Sequence, residues 1–316
     1  MNYKTKTWIL AALSVIFIAL FLFTGITGNW EYILERRLYK VAAIVLTGVS
    51  IAIATVIFQT ITQNRILTPS ILGLDSLYML INTVIIFIFG STTLTTTDRN
   101  IQFILIVAIM IIFSGLLYRM MFKRNAQNIY FLLLIGFILG TFFESFSSFM
   151  QVLIDPNEFQ IVQDRMFASF NNINTDVLQL AFILTVIVIL YFMRLFKYLD
   201  VLSLGRDHAI NLGVDFDYVV KRLLVIVAVL ISISTALVGP IMFLGLLVSN
   251  LTYEFLKTYR HSYLLVGASL FSVVALVGGQ LLVERIFTFS TTISVIINFI
   301  GGVYFIYLLL KENKSW

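Results

Sequence analysis

The 316-residue chain contains no cysteine, which excludes disulfide bonds, thiol chemistry and zinc or iron–sulfur sites built on cysteine. It contains only two histidines, His208 and His261, and neither has further ligands at metal-binding spacing. We expect both histidines to be solvated in loops, and we predict no metal site. Prolines are almost as scarce, since Pro69, Pro156 and Pro240 are the only three. Each lies near a predicted helix end or break, where the missing backbone donor is tolerated.

Charged residues are also scarce. They make up 12% of the chain, against about a quarter of a typical soluble domain, and 60% of the residues are hydrophobic. A helix that spans a bilayer needs about 20 apolar residues. The sequence therefore predicts an all-α membrane protein in one domain, residues 1–316. Its roughly ten predicted transmembrane helices lie near residues 7–27, 38–60, 71–90, 101–120, 129–151, 176–195, 222–239, 241–257, 262–283 and 291–310.

The distribution of lysine and arginine predicts how these helices are oriented. Most of the basic residues fall in loops on the side of the N-terminus, and cytoplasmic loops carry the excess of such residues. Both termini are therefore predicted to be cytoplasmic, as an even number of helices requires. The net charge of +5 gives no reason to predict nucleic-acid binding in a membrane chain.

Motifs that would mark an enzyme are absent from the sequence. There is no G-x-x-x-x-G-K-[ST] phosphate-binding loop, so an ATPase that drives this chain would be a separate subunit. There is also no Ser/His/Asp set and no pair of catalytic carboxylates. We therefore predict that the chain is not an enzyme.

Two acidic residues, Asp75 and Glu144, lie near the ends of apolar windows. We expect Asp75 to be solvated, and leave open whether Glu144 faces a cavity. An ion-coupled secondary transporter would need buried carboxylates near the bilayer midplane. Asp75 and Glu144 are the only residues in the sequence that support this alternative function. An integral membrane enzyme, which needs converging catalytic groups, fits less well still.

The segment from Leu202 to Val214 is a polar island between long apolar runs. Gly205 and Gly213 permit sharp backbone turns at its two ends. Between them the sequence predicts a short surface helix that a soluble partner could grip. Its two faces would consist of Ala209 and Leu212 on the apolar side and Arg206, Asp207 and Asn211 on the polar side.

Three blocks of sequence together resemble the type II ABC importer permease family (FecCD-like permeases), which imports vitamin B12, haem and ferric siderophores. They are Leu46-Thr47-Gly48 to Gln59 followed by Asn64 to Gly73, then Leu202 to Val214, then Gly239 to Leu246 followed by Ile300 to Phe305. The blocks cover almost the whole chain in the family's order. The departures are Arg65 in place of a proline, Thr55 in place of a glycine, Ser249-Asn250 in place of Pro-His, and Gly301-Gly302-Val303 in place of Gly-Ala-Pro.

The resemblance implies a role for the loop at about residues 196–218. In the family this loop folds into two short helices with a glycine turn, here Gly205, and docks in a cleft of the cytoplasmic ATPase. Closure of the ATPase would push the helix pair and tilt the bundle between its outward and inward states. The implied coupling residues are Leu204, Gly205, Arg206, Asp207, Ala209, Leu212 and Gly213.

The resemblance also implies docking residues and a pathway. Arg37, Lys40 and Arg285 would meet acidic residues on the two lobes of an extracytoplasmic binding protein, unless they only anchor at lipid headgroups.

A passage for a large chelate would be lined mostly by uncharged side chains, although packing is the alternative for each of them. The candidates for the pathway are Gln59, Asn64, Phe142, Phe146 and Met150.

The function implied is that of a permease subunit that imports a ferric siderophore across a bacterial cell membrane. The stretch Asn64 to Asp75 resembles the branch that handles catecholate siderophores such as petrobactin. The implied partners are a second permease, identical or paralogous, two cytoplasmic ATPases and a binding protein. No cofactor is expected on this chain, and Mg-ATP would bind the ATPase. Haem or cobalamin remains an alternative cargo.

Overall fold

A computed structural model describes residues 2–25, 28–90, 97–123, 129–171 and 173–312. Within these ranges the regular structure is helical. The α-helices are α1 (Tyr3–Phe23), α2 (Trp30–Thr62), α3 (Leu74–Phe89), α4 (Arg99–Lys123), α5 (Ile129–Leu153), α6 (Pro156–Arg165), α7 (Thr175–Leu195), α8 (Leu199–Leu202), α9 (Arg206–Asn211), α10 (Phe216–Val238), α11 (Leu244–Leu256), α12 (His261–Arg285) and α13 (Ile293–Glu312).

Each predicted transmembrane window coincides with a helix, so the all-α prediction is confirmed. Among the residues that the structure describes, eight helical segments are long and apolar enough to cross a bilayer. The third and eighth windows coincide instead with α3, of 16 residues, and α11, of 13 residues. Orientation in the membrane stays a prediction from the basic residues.

Helices α3 and α11 are short because each begins inside the bundle. A 3₁₀ turn at Pro69–Leu72 leads to Gly73, whose φ is +77°. A Cβ atom on Gly73 would lie 2.8 Å from the Cα of Gly140, so two backbones touch where α3 meets α5. On the other side, the Phe243 side chain, just before α11, packs against Gly301 of α13, where an added Cβ would clash with it. A glycine on a longer helix thus lies against the start of each short helix.

The core of the bundle forms around α2, α10 and α12. Almost every residue of α2 from Val41 to Thr62 is buried. Small residues let the helices approach closely, since a Cβ on Gly48 would lie 2.8 Å from Oγ of Ser272 on α12. Buried hydroxyls bond to carbonyls one turn earlier, as Thr60 does to Val56 at 2.8 Å. This satisfies polar groups that water cannot reach.

Helix ends meet at two opposite ends of the bundle. At the end that we call the pair face, α8 lies against the end of α2 and the start of α12, and α9 lies against the start of α10. At the other end, which we call the opposite face, Lys40 of α2 pairs with Glu284 at the end of α12. The segment after α6 reaches the end of α10 there, where the Ser169 amide donates to the Val238 carbonyl at 2.9 Å.

Candidate functional site

The helix pair α8–α9 lies in the loop at about residues 196–218, where the resemblance implied two short helices separated by a turn at Gly205. Gly205 separates the two helices with a φ of +96°, and Gly213 follows α9 with a φ of +82°. Both values favour glycine, which lacks the Cβ that hinders such a backbone. The Asp215 side chain then accepts from the Tyr218 amide at 3.1 Å and caps the start of α10. The predicted pair of short helices is thus confirmed.

The predicted faces of α9 need one correction. Ala209 is fully buried, whereas Leu212 is 62% exposed, so the two do not share an apolar face. Leu212 instead joins Leu204 and Ile210, which are 56% and 43% exposed. We call these three exposed apolar side chains, which lie between residues 204 and 212, the leucine patch.

The other residues of the predicted coupling set divide between anchoring and exposure. Arg206 lies over the Phe216 ring, 5.7 Å from its centroid, and 3.9 Å from the carboxylate of Asp217. It therefore ties α9 back to the start of α10. Asp207 is exposed beside the leucine patch. His208, also on α9, is exposed as predicted.

His261 was predicted to be solvated, and the structure shows that this is wrong. Its side chain is 3% exposed at the first turn of α12. One ring nitrogen lies 2.6 Å from Asp200 of α8, and the other lies 2.8 Å from the Thr60 hydroxyl of α2. The residues that it joins are 61 and 201 positions away, so no local sequence pattern could have revealed the contact.

The three predicted docking residues come together on the opposite face. Arg37 donates to the carbonyls of Phe21 and Leu22 at 2.9 Å, at the end of α1, where a cation interacts favourably with the helix dipole. Arg285 donates to the nearby Thr24 carbonyl. The structure therefore gives both arginines a capping role within this chain.

The third docking residue, Lys40, forms a salt bridge of 2.9 Å with Glu284. The Lys40 and Glu284 side chains are only 18% and 11% exposed, whereas Arg285 is exposed. Arg285 thus remains the most accessible cation of the three.

The five predicted pathway residues do not form one surface. Gln59 and Met150 are 3% and 7% exposed and pack within this chain. The Gln59 amide donates to the Arg65 carbonyl at 2.6 Å, and the Asn64 side chain accepts from the Ile66 amide at 2.8 Å. These groups stabilise the segment between α2 and α3.

Phe142 and Phe146 of α5, in contrast, are exposed, with parallel rings 6.1 Å apart. Beside them runs an exposed polar stripe at helical spacing, which we call the α5 stripe: Thr141, Glu144, Ser145 and Ser148. Polar and ionisable groups on a membrane helix seldom face lipid. The α5 stripe therefore suits contact with another protein or with a polar passage.

Asp75 was predicted to be solvated, and this is also wrong. It is 4% exposed in the first turn of α3, which starts inside the bundle. The Thr235 hydroxyl of α10 donates to its carboxylate at 3.4 Å. The assumption that apolar windows begin at the membrane surface fails for α3.

A cavity of about 580 Å³ opens at the opposite face and was not predicted. It lies between the start of α4, the end of α10 and the segment that follows α6. Its polar lining includes Tyr78, Arg99, Gln102, Asp164, Arg165, Asn171 and Asn174. These residues come from four separate parts of the chain, which is why sequence spacing did not indicate them.

Comparison with known proteins identifies the family. The sequence profile of the FecCD transport family matches residues 5–311. The chain belongs to the FecCD transport family. A solved structure described as a metal-chelate type ABC transporter, in an inward-facing conformation, has the same fold as this FecCD member. Its TM-score is 0.83 at 23% identity, over 98% of this chain and 100% of that one.

Curated relatives agree with that membership. The Bacillus subtilis protein YclO, a petrobactin import system permease, is 65% identical over 316 residues, which cover 100% of both chains. FatC of Bacillus anthracis, also a petrobactin import system permease, is 36% identical over 89% of this chain and 79% of its own. YclN of Bacillus subtilis carries the same description and is 25% identical over 88% of this chain and 85% of its own. This FecCD member is therefore a multi-pass membrane transport protein.

Proposed function

We propose that the chain is the permease subunit of an ABC importer that carries a ferric siderophore of the petrobactin type into the cytoplasm. The observation that supports this most strongly is the identity of 65% to YclO along the full length of both chains. Petrobactin is a catecholate-type siderophore, which agrees with the branch that the segment Asn64 to Asp75 resembles. Iron enters as part of the chelate and is cargo for this chain.

The power stroke comes from separate ATPase subunits that bind Mg-ATP. The leucine patch supports this, because exposed apolar side chains on a short surface helix are typical of a protein–protein contact. Rigid anchoring by Ala209 and Arg206 lets the pair transmit a push to the bundle.

Among the described residues no group of three or more potential ligands could hold a metal ion.

The second permease is a paralogue of this chain. Bacillus subtilis has two petrobactin import permeases, YclO and YclN, and this chain is 65% identical to the first and 25% to the second. The α5 stripe, with Phe142 and Phe146, forms this chain's side of the interface and of the passage. Arg285 contributes to docking of the extracytoplasmic binding protein.

Uptake of radiolabelled iron tests the proposal. Cells with and without this chain are supplied with ferric petrobactin, a ferric hydroxamate, ferric citrate, haem and cobalamin. Loss of petrobactin uptake alone is the expected result. Reintroducing this chain together with an ATPase that cannot hydrolyse ATP should fail to restore petrobactin uptake. Unchanged petrobactin uptake in a strain without other petrobactin systems would refute the proposal, and loss of haem or cobalamin uptake would change the cargo.

A further inference from the structure

The helix pair α8–α9 is joined to the bundle through one buried side chain. His261 is 3% exposed, and its Nδ1 atom lies 2.6 Å from the carboxylate of Asp200 on α8. The same carboxylate oxygen accepts from the His261 backbone amide at 2.9 Å. On the other edge of the ring, Nε2 lies 2.8 Å from the Thr60 hydroxyl on α2. The imidazole therefore bridges three helices.

A second contact joins the same elements. The Gln63 side chain, just after α2, donates to the Leu202 carbonyl of α8 at 2.7 Å and to the Thr60 carbonyl at 2.9 Å. The end of α2 is thus attached to α8 once directly and once through His261. Two attachments fix both the distance and the angle between the elements, which a single hydrogen bond cannot do.

From the end of α2 the contacts continue toward the α5 stripe. The Arg65 carbonyl accepts from Gln59 of α2 at 2.6 Å and from Asn250 of α11 at 2.9 Å. The chain then runs through the 3₁₀ turn to Gly73, which packs backbone to backbone on Gly140 of α5. A continuous series of packed helices and hydrogen-bonded segments of this kind can transmit a displacement from one site to another.

We propose that His261 is a positioning residue for energy coupling, and that it holds α8 to α2 so that a push on the helix pair moves the bundle. The inference rests on the proposed function, since it requires an ATPase that acts on the pair. Without the ring, Asp200 and Thr60 lose their common partner. Gln63 alone would then hold α8 to the end of α2, so the pair could turn about that single hydrogen bond while α2 and the segment after it stay in place.

The test uses the complete transporter in proteoliposomes: this chain, its second permease, the ATPases and the binding protein. ATP hydrolysed and ferric petrobactin transported are measured on the same samples. His261→Asn places an amide near the Nδ1 position and cannot reach Thr60, and Thr60→Val removes the other half of the bridge. Thr62→Val is the matched control, because the buried Thr62 hydroxyl bonds only to backbone carbonyls nearby in its own segment.

We expect both bridge variants to hydrolyse ATP at close to the wild-type rate while the ATP used per chelate transported rises roughly tenfold. Thr62→Val should leave that ratio unchanged. A parallel loss of hydrolysis and transport, or an unchanged ratio, in either assembled bridge variant would overturn the inference. If His261→Asn does not assemble, Thr60→Val decides, since it conserves side-chain volume. A wild-type complex without ATP-driven transport would instead refute the proposed function, and with it this inference.

Discussion

Ala209 and Leu212 lie three residues apart, yet one is fully buried and the other 62% exposed. Residues at that spacing share a face only while the helix continues. Here α9 ends at Asn211, and Leu212 has left the helical conformation, with a ψ of 6°. Gly213 then turns the chain with its positive φ. A six-residue helix is too short for periodicity to decide which side chains point outward.

Replacement of Leu212 by aspartate tests the leucine patch. A charge at the centre of an apolar contact should weaken ATPase binding by about 2 kcal/mol or more and abolish most petrobactin uptake. Pull-down of the ATPase with this chain measures the first effect and iron uptake the second. Tyr259→Asp is the control, because Tyr259 is 76% exposed on the pair face but lies outside the pair. Equal behaviour of the two variants would argue against the patch.

The role of Asp75 distinguishes an ATP-driven importer from an ion-coupled carrier. An ion-coupled carrier would need its buried carboxylate to exchange a proton or cation. In an ATP-driven importer Asp75 serves only to accept hydrogen bonds from Thr235 and Ser70, and an amide oxygen can replace that acceptor. We therefore expect Asp75→Asn to retain uptake within about twofold, because the amide oxygen still accepts from these hydroxyls and the ATP-driven cycle needs no proton or cation exchange at this position. Loss of uptake in a correctly folded Asp75→Asn protein would favour the rival mechanism.

Among the elements, α3 and α11 are the least regular and the most informative. Each is preceded by a proline segment that packs on a glycine of a longer helix, at Gly140 and at Gly301. A short helix that begins inside the bundle needs partners for its first backbone groups and a surface without side chains to lie on. Gly140 and Gly301 supply the surface without side chains, so they determine how deep in the bundle α3 and α11 start.

A methyl group at Gly140 should be costly. Its Cβ would lie 3.1 Å from the Cα of Gly73, and backbone cannot move aside as a flexible side chain does. We expect Gly140→Ala to lower the free energy of unfolding by about 1–3 kcal/mol. Thermal unfolding in detergent measures this. Gly115→Ala on α4 is the matched control, since nothing lies within 4 Å of the added Cβ. Equal unfolding temperatures would contradict the backbone contact.

At the scale of the whole molecule, α5 leaves an exposed face that combines aromatic and polar side chains. Phe142 and Phe146 and the adjoining α5 stripe face outward from the bundle. Exposed serines and threonines on this helix bond to their own backbone, as Ser145 does to Thr141 at 2.8 Å. The helix is therefore stable with its polar face uncovered, and the face is available for a second permease.

The absence of cysteine allows a direct test of that assembly. A cysteine in place of Ser145, paired with cysteines along the matching helix of a YclN-like permease, should form a disulfide between the two chains under mild oxidation. Leu116→Cys on α4 is the control, because Leu116 is also exposed, at 55%, but lies on a different helix. Cross-linking of Ser145→Cys only to a second copy of this chain would indicate a homodimer instead.

The sequence by itself determined the membrane class, the positions of the helices and the place of the helix pair. Apolar run length and the glycines at positions 205 and 213 are local properties, and local properties can be read along a chain. The family was also accessible, because its three blocks are linear motifs. None of these features depends on which helix packs beside which.

Only the tertiary structure decided the burial of His261 and Asp75, the capping of α1 by Arg37 and the short starts of α3 and α11. Each of these depends on groups far apart in sequence, such as Thr60 and His261, which are 201 positions apart. A polar residue in a membrane chain is buried or solvated according to its partners, since burial is tolerated only where hydrogen bonds replace water. Those partners are brought together by helix packing alone.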